Sequence, residues 1–180
     1  MKIDESKIET NPTMVFYLEM DENPNFEVEK AANTEGVVFE KLDRPLSVET
    51  YRKHYYNVGF PFQWLDRLVM ADDELLEKIN APNVDIFVFK VRDEEAGYAE
   101  FKKEEAFTEI VYFGLYENFI GKGLGKLCLQ WVINQAWSYN PEWIQLNTCG
   151  LDHENALLVY QSQGFDLVET KIEDRKVLIN

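Results

Sequence analysis

Residues 120–125 read Ile120-Gly121-Lys122-Gly123-Leu124-Gly125, so alternate positions carry no side chain. Backbone N–H groups bared in this way can approach an anion closely. The helical pattern that opens at Leu124 adds unpaired donors and the positive end of a dipole, a combination that holds phosphate. Lys122 supplies local positive charge. Without a ligand, the same loop is a flexible link between strand and helix. No Gly-Lys-Ser/Thr follows, so it is not a Walker loop. Its GxGxG spacing, after segments that read as antiparallel, also departs from the dinucleotide fingerprint.

The other reactive side chains are sparse. Cys128 and Cys149 form no CxxC pair and are too few for a disulfide framework, so both are expected to be reduced and structural. His54 falls in the helical pattern Tyr51–Tyr56 and is expected at the surface. His153 is expected to cap or solvate a helix start. Two isolated histidines and two unpaired cysteines offer no metal-ligand spacing, so no metal is expected.

The elements that position the loop follow from periodicity. Val84 to Val91 is apolar nearly throughout, as in a strand buried on both faces. Gly97 to Lys103 and Glu109 to Leu115 follow as an antiparallel hairpin. Leu124, Leu127, Cys128, Trp131 and Val132 fall on one helical face, in a helix ending before Pro141. Trp143 to Cys149 alternates as a strand. A helix capped by Asp152 is expected to run to Gly164, and residues 165–170 and 175–179 read as closing strands. Earlier in the chain, residues 14–20 and Val37 to Leu42 read as strands. Ser47 starts a helix ending near Gly59, and a second helix covers Asp72 to Asn80. The fold class is α/β (α+β), a mixed, mostly antiparallel central sheet flanked by helices. Residues 1–180 are expected as one domain, with 1–45 a strand-containing N-terminal elaboration.

Charge narrows the partners. Lys and Arg number 18 against 33 Asp and Glu, a net charge of −15 with a pI near 4.5. That field repels phosphate backbones, so no nucleic acid is expected, and it attracts protonated amines. No apolar leader and no membrane-length apolar run is visible, so a cytoplasmic protein without a membrane partner is expected. A homodimer stays open.

The segment Glu109 to Phe165 resembles the GNAT superfamily of N-acetyltransferases. Their Arg/Gln-x-x-Gly-x-Gly/Ala loop, which binds the pyrophosphate of acetyl-CoA, is matched by Ile120–Gly125, with Ile120 in place of Arg or Gln. Their Asn-x-x-Ala-x-x-x-Tyr-x-x-x-Gly-Phe helix is matched by His153, Ala156, Tyr160, Gly164 and Phe165, with His153 in place of Asn. The likeness covers about residues 84–170.

The resemblance implies acetyl-CoA as co-substrate and a primary amine as acceptor, joined by direct attack. It implies that Ile120, Gly121, Lys122, Gly123, Leu124 and Gly125 bind the cofactor. The backbone at Phe113 and Leu115 would take the pantetheine arm, an N–H near Phe113 would polarise the thioester carbonyl, and Gly114 would permit close approach. Tyr160 would protonate the departing thiolate. Glu109, eleven residues before Ile120, matches the spacing of a general base in some members, and Glu100 on the neighbouring strand competes for that role. Tyr56, Phe62 and Trp64, in a run with Tyr55 and Phe60, would wall the acceptor cleft, with Asp66 and Arg67 at its rim. The alternative is a CoA-binding or regulatory module of the same fold without catalysis.

Overall fold

The run Val84–Val91 forms a strand whose first six residues are buried, and a seven-stranded sheet is built around it. In the computed structural model, which describes residues 1–179, the chain runs β1 (Ile8–Met20), α1 (Glu29–Glu35), β2 (Val37–Lys41), α2 (Val48–Gly59), α3 (Asp66–Val69) and α4 (Asp72–Ile79). It continues with β3 (Val84–Val91), β4 (Glu94–Lys103), β5 (Phe107–Leu115), α5 (Leu124–Trp137), β6 (Trp143–Cys149), α6 (Ala156–Ser162) and β7 (Asp166–Leu178). The strand order is β2-β3-β4-β5-β6-β1-β7. Every neighbouring pair is antiparallel except β5 and β6.

Helices cover both faces. On one, α5 buries Leu124, Leu127, Cys128, Leu129, Val132, Ile133 and Ala136 against Phe89, Phe101 and Ile144. On the other, Tyr51 and Tyr55 of α2 and Leu75 and Ile79 of α4 pack on Ile86, Val88 and Tyr98. Ser47 caps α2 as expected, its hydroxyl accepting from the Thr50 N–H at 3.1 Å. Among the described residues, no helix is long and apolar enough to cross a membrane.

Several expectations are corrected. His54 is buried, not exposed: it lies on the sheet-facing side of α2, where its Nδ1 shares a 2.5 Å hydrogen bond with the Tyr116 hydroxyl. The two closing strands expected at 165–170 and 175–179 are one, β7 (Asp166–Leu178), because β7 is an exposed edge whose charged residues hide its continuity in the sequence. Helix α6 starts after Asn155, three residues later than an Asp152 cap requires. Helix α1 lies between the two N-terminal strands, where no element is expected from the sequence. The N-terminal segment 1–45 supplies two strands of the sheet, β1 between β6 and β7, and β2 at the far edge.

Burial of His54 lowers its pKa to about 4 from 6.5, because the charged imidazolium loses its water. A folded value below the unfolded one means the unfolded chain binds the proton first as pH falls. Stability from this site is therefore whole above pH 6.5 and lost between 6.5 and 4, by about 3 kcal/mol. Chemical denaturation across that window should show a shallower acid slope in His54→Gln than in the parent, and parallel slopes would contradict the assignment.

Candidate active site

Strands β5 and β6 pair only from Phe107 to Glu109 against Trp143 to Gln145. Beyond that point they part, leaving the β6-facing edge of Ile110–Leu115 without a strand partner. A bulge sits at the fork: Phe101 pairs Ile110 and Glu100 pairs Tyr112, so Val111 is the extra residue. The gap opens into a cleft of about 450 Å³, lined by Ile110–Leu115 of β5, Leu146–Thr148 of β6, Gly121 and Gly125, and Ala156, Val159 and Tyr160 of α6.

The glycine loop forms the mouth. Gly121 and Gly123 both have φ of +78°, a left-handed conformation that L side chains rarely adopt, and Gly123 is the residue from which α5 starts. A Cβ built on Gly121, Gly123 or Gly125 would meet no protein atom within 4 Å. The space these glycines leave is open to a ligand rather than filled by the fold. No acidic residue lies in the first turn of α5. Ile120 is exposed and lines the cleft, Leu124 is buried in the core, and the Lys122 ammonium lies 5.2 Å from the Phe119 ring.

On β5, the side chains of Phe113 and Leu115 pack in the α5-side core, Phe113 with its ring 6.1 Å from Phe89, while their backbone borders the gap. Gly114 lines the cleft too, and its missing Cβ also makes room for Val58 of α2, whose Cγ1 would lie 2.3 Å away, so this glycine serves helix packing as well.

Tyr160 faces the cleft from α6, its ring edge-on to Phe165 at 6.1 Å. Burial pushes its phenol well above the ordinary value, and the nearby Asp152 charge adds to this. The hydroxyl therefore stays protonated across the physiological range. Burial likewise raises the thiol of Cys128 to about 12 and that of Cys149 above its ordinary value, which disfavours both thiolates.

A smaller pocket of about 90 Å³ lies on the opposite, α2-side face and shares Phe62, Trp64, Val111, Tyr112, Asn147 and Asp152 with the main cleft. The sheet is thus perforated at the fork. The roof of this pocket is the loop from Phe60 to Asp66, fastened at three points. Gln63 accepts from the Leu178 N–H at 2.8 Å, Trp64 Nε1 donates to Asp152 at 2.8 Å, and Lys176 pairs Asp66 at 2.5 Å. Gly59 lets Trp64 pack down, since a Cβ there would lie 2.3 Å from the indole.

The expected site residues fall into two groups. Phe62 and Trp64 line both cavities, whereas Tyr56 stacks on Phe60 at 4.5 Å and lines neither. Glu109 is half-buried just below the fork and outside both linings. Glu100 is sealed in the α2-side core, accepting from Tyr51 at 2.5 Å and from Arg67 at 3.3 Å. Burial raises both carboxyls, opposed at Glu100 by Arg67 and at Glu109 by Lys102. Arg67 therefore points inward, while Asp66 reaches the pocket. His153 lines the cleft and accepts the Asn155 N–H at 3.2 Å.

Sequence reasoning missed Tyr112, Asn147, Arg175 and Lys176, which reach the pocket from three strands far apart in the chain. It also read Asp152 as a helix cap. Its carboxylate instead accepts from Thr148 Oγ1 at 2.7 Å, the Cys149 N–H at 2.9 Å and Trp64, and so joins the roof to the end of β6.

A mixed sheet split between two parallel strands, with a glycine loop at the mouth of the split, defines the GNAT-like acyl-CoA acyltransferase fold. The sequence model of the Acetyltransferase (GNAT) family matches residues 47–165. This chain belongs to that family, whose general reaction is acetyl transfer from acetyl-CoA. It is 40% identical over 76 residues to YdgE of Bacillus subtilis (strain 168), described as an uncharacterized N-acetyltransferase, across 42% of this chain and 45% of that protein. The fold is similar to that of a functionally unknown conserved protein from Staphylococcus epidermidis ATCC 12228, with a TM-score of 0.63 and 18% identity over 99% of this chain and 69% of that one. A GNAT-family protein from Novosphingobium aromaticivorans DSM 12444 gives 0.61 and 13% identity over 98% of this chain and 70% of that one. An aminoglycoside acetyltransferase from an uncultured soil metagenomic sample gives 0.57 and 15% identity over 76% and 89%. At such identities the likeness is one of fold.

Gly125 separates a ligand role from a structural one. A Cβ there meets no atom of the described residues within 4 Å, and valine is no worse a helix former than glycine. Gly125→Val is expected to leave the unfolding midpoint unchanged or raised and to weaken CoA binding by roughly tenfold or more, about 1.4 kcal/mol. Calorimetric titration of CoA checks this, and undiminished affinity would remove the loop from the binding site.

Proposed function

We propose that this protein transfers an acetyl group from acetyl-CoA to a primary amine by direct attack, without a covalent enzyme intermediate. The observation that carries this reading is the fork between β5 and β6. It joins a cleft at the glycine loop to a second pocket on the other face, so donor and acceptor can meet through the sheet. Residues 1–180 act as one unit in this reading, because β1 completes the sheet beside β6.

The donor pyrophosphate lies on the bare backbone of Gly121–Gly125 at the N-terminus of α5. The pantetheine arm runs along the free edge of β5 and uses the strand's unpaired groups as a further strand would. A β5 N–H near Phe113 donates to the thioester carbonyl oxygen and stabilises the charge that grows there. The amine nitrogen, held on the α2-side face, bonds to the carbonyl carbon while the carbon–sulfur bond breaks. The leaving thiolate takes the Tyr160 hydroxyl proton, the nitrogen gives up its extra proton to water as the amide forms, and the phenolate is reprotonated by solvent. Positioning of the two reactants supplies most of the acceleration.

An ammonium must lose a proton before it can attack. Glu109 is assigned that proton, received through water because its carboxylate stands below the fork rather than on the cleft wall. Glu100, enclosed by Tyr51 and Arg67, is assigned to holding α2 and α3 on the sheet. That neither carboxylate lines the cleft is also what favours the second reading, a CoA-binding module without turnover. Thiol release from acetyl-CoA across a panel of amines decides between the two.

Tyr160→Phe is expected to keep CoA affinity and lower kcat by about 100-fold, the lower end of the range for a general acid. Unchanged kcat with chemistry rate-limiting would make Tyr160 a packing residue. The raised Glu109 carboxyl gives kcat/KM a rising acid limb, which Glu109→Gln should depress and flatten. Glu100→Gln is expected to act on stability instead, by roughly 3 kcal/mol, because the buried Arg67 guanidinium loses its partner. Loss of the limb in Glu100→Gln alone would move the base to that strand.

A further inference from the structure

The small pocket brings together four charged side chains, Asp66, Asp152, Arg175 and Lys176. Its carboxylates are largely occupied. Lys176 pairs Asp66 at 2.5 Å, and Asp152 accepts from Trp64, Thr148 and the Cys149 N–H. The guanidinium is occupied only in part: Arg175 Nη2 lies 3.2 Å from Glu173, which also accepts from the Tyr17 hydroxyl, while Arg175 Nε is buried with no hydrogen-bond partner among the described residues. An unpaired buried N–H costs about 1–3 kcal/mol, a penalty that an incoming acceptor removes.

A pocket for a polycation would present carboxylates free of other donors and would keep cations out of its wall. This one does the reverse, in a chain with 33 acidic and only 18 basic residues. The fork of a guanidinium matches a carboxylate in geometry as well as charge. A volume of about 90 Å³ is the scale of an amino-acid head group rather than of linked sugar rings.

We propose that the acceptor is an amine that also bears a carboxylate, a free amino acid, bound with its carboxylate on Arg175 beside the Lys176–Asp66 pair and its amino group toward the β5–β6 fork. Tyr55, Phe62 and Trp64 give its side chain an apolar wall. This rests on the acetyl-transfer reading and adds the substrate class to it.

The test measures thiol release from acetyl-CoA for a panel of L-amino acids, each against its own carboxamide, with spermidine as the polycation. CoA binding is measured separately by thermal shift. At least one amino acid should exceed its carboxamide by tenfold or more in kcat/KM, and Arg175→Gln should shrink that ratio by tenfold or more. Carboxamides as good as the acids, or spermidine preferred to both, overturn the substrate class while leaving acetyl transfer intact. If CoA binds and no amine turns over, calorimetry of the same acid and amide pairs on the CoA complex should give the same ranking, and equal or absent binding overturns the proposal. Failure of CoA to stabilise the protein ends both readings together.

Discussion

The structure depends on the parting of two parallel strands after three residue pairs. Backbone N–H and C=O groups are normally paired wherever water is scarce, and a sheet usually pairs them strand by strand. Here β5 keeps β4 on one side along its length and loses β6 on the other from Ile110 onward. The bulge at Val111 adds a local twist at that point. A row of donors and acceptors is thus left facing a cavity with apolar walls, where an extended polar ligand can pair with it along its whole length.

Keeping such a fork open requires support from both faces. On one side, α5 and the β5 side chains pack as continuous core, so the strand is held by its side chains where its backbone is free. On the other, Val58 of α2 fills the space left by Gly114, and the Phe60–Asp66 roof is fastened to β7 and to the end of β6. The buried Glu100, with Arg67 and Tyr51, ties α2 and α3 to β4 just beyond the bulge. A polar network of this kind fixes position more than it adds stability.

Much of this was legible in the sequence, for identifiable reasons. β3 and β6 were read to the residue because a nearly continuous apolar run and an alternating one leave one interpretation each. α5 was read from its apolar stripe, and the glycine loop from three bare positions before a helix. The misreadings share a cause as well. β7 lies at an exposed edge, so no alternation marks it, and its neighbour β1 is more than 140 residues away in the chain. His54 looked like surface because it sits among charged and polar residues, although its own side of α2 faces Tyr116. Asp152 looked like a cap because the turn it stabilises precedes a helix, and its bond to Trp64 spans 88 positions. Arg175 and Lys176 could not be placed at all, since their relevance comes only from the strand order.

The place of β1 also bears on how the chain reaches this state. It leaves the ribosome before the other six strands of the sheet, yet its neighbours, β6 and β7, are the last two of them. The bond between Tyr17 and Glu173 closes a separation of 156 residues. Contacts so distant in sequence form late, since the entropy of closing the intervening chain comes before their reward. During synthesis, β1 therefore waits as an unpaired strand carrying Val15, Phe16 and Leu18, open to association with other nascent chains. The topology itself thus sets an interval during which Ile8–Met20 has no strand to pair with.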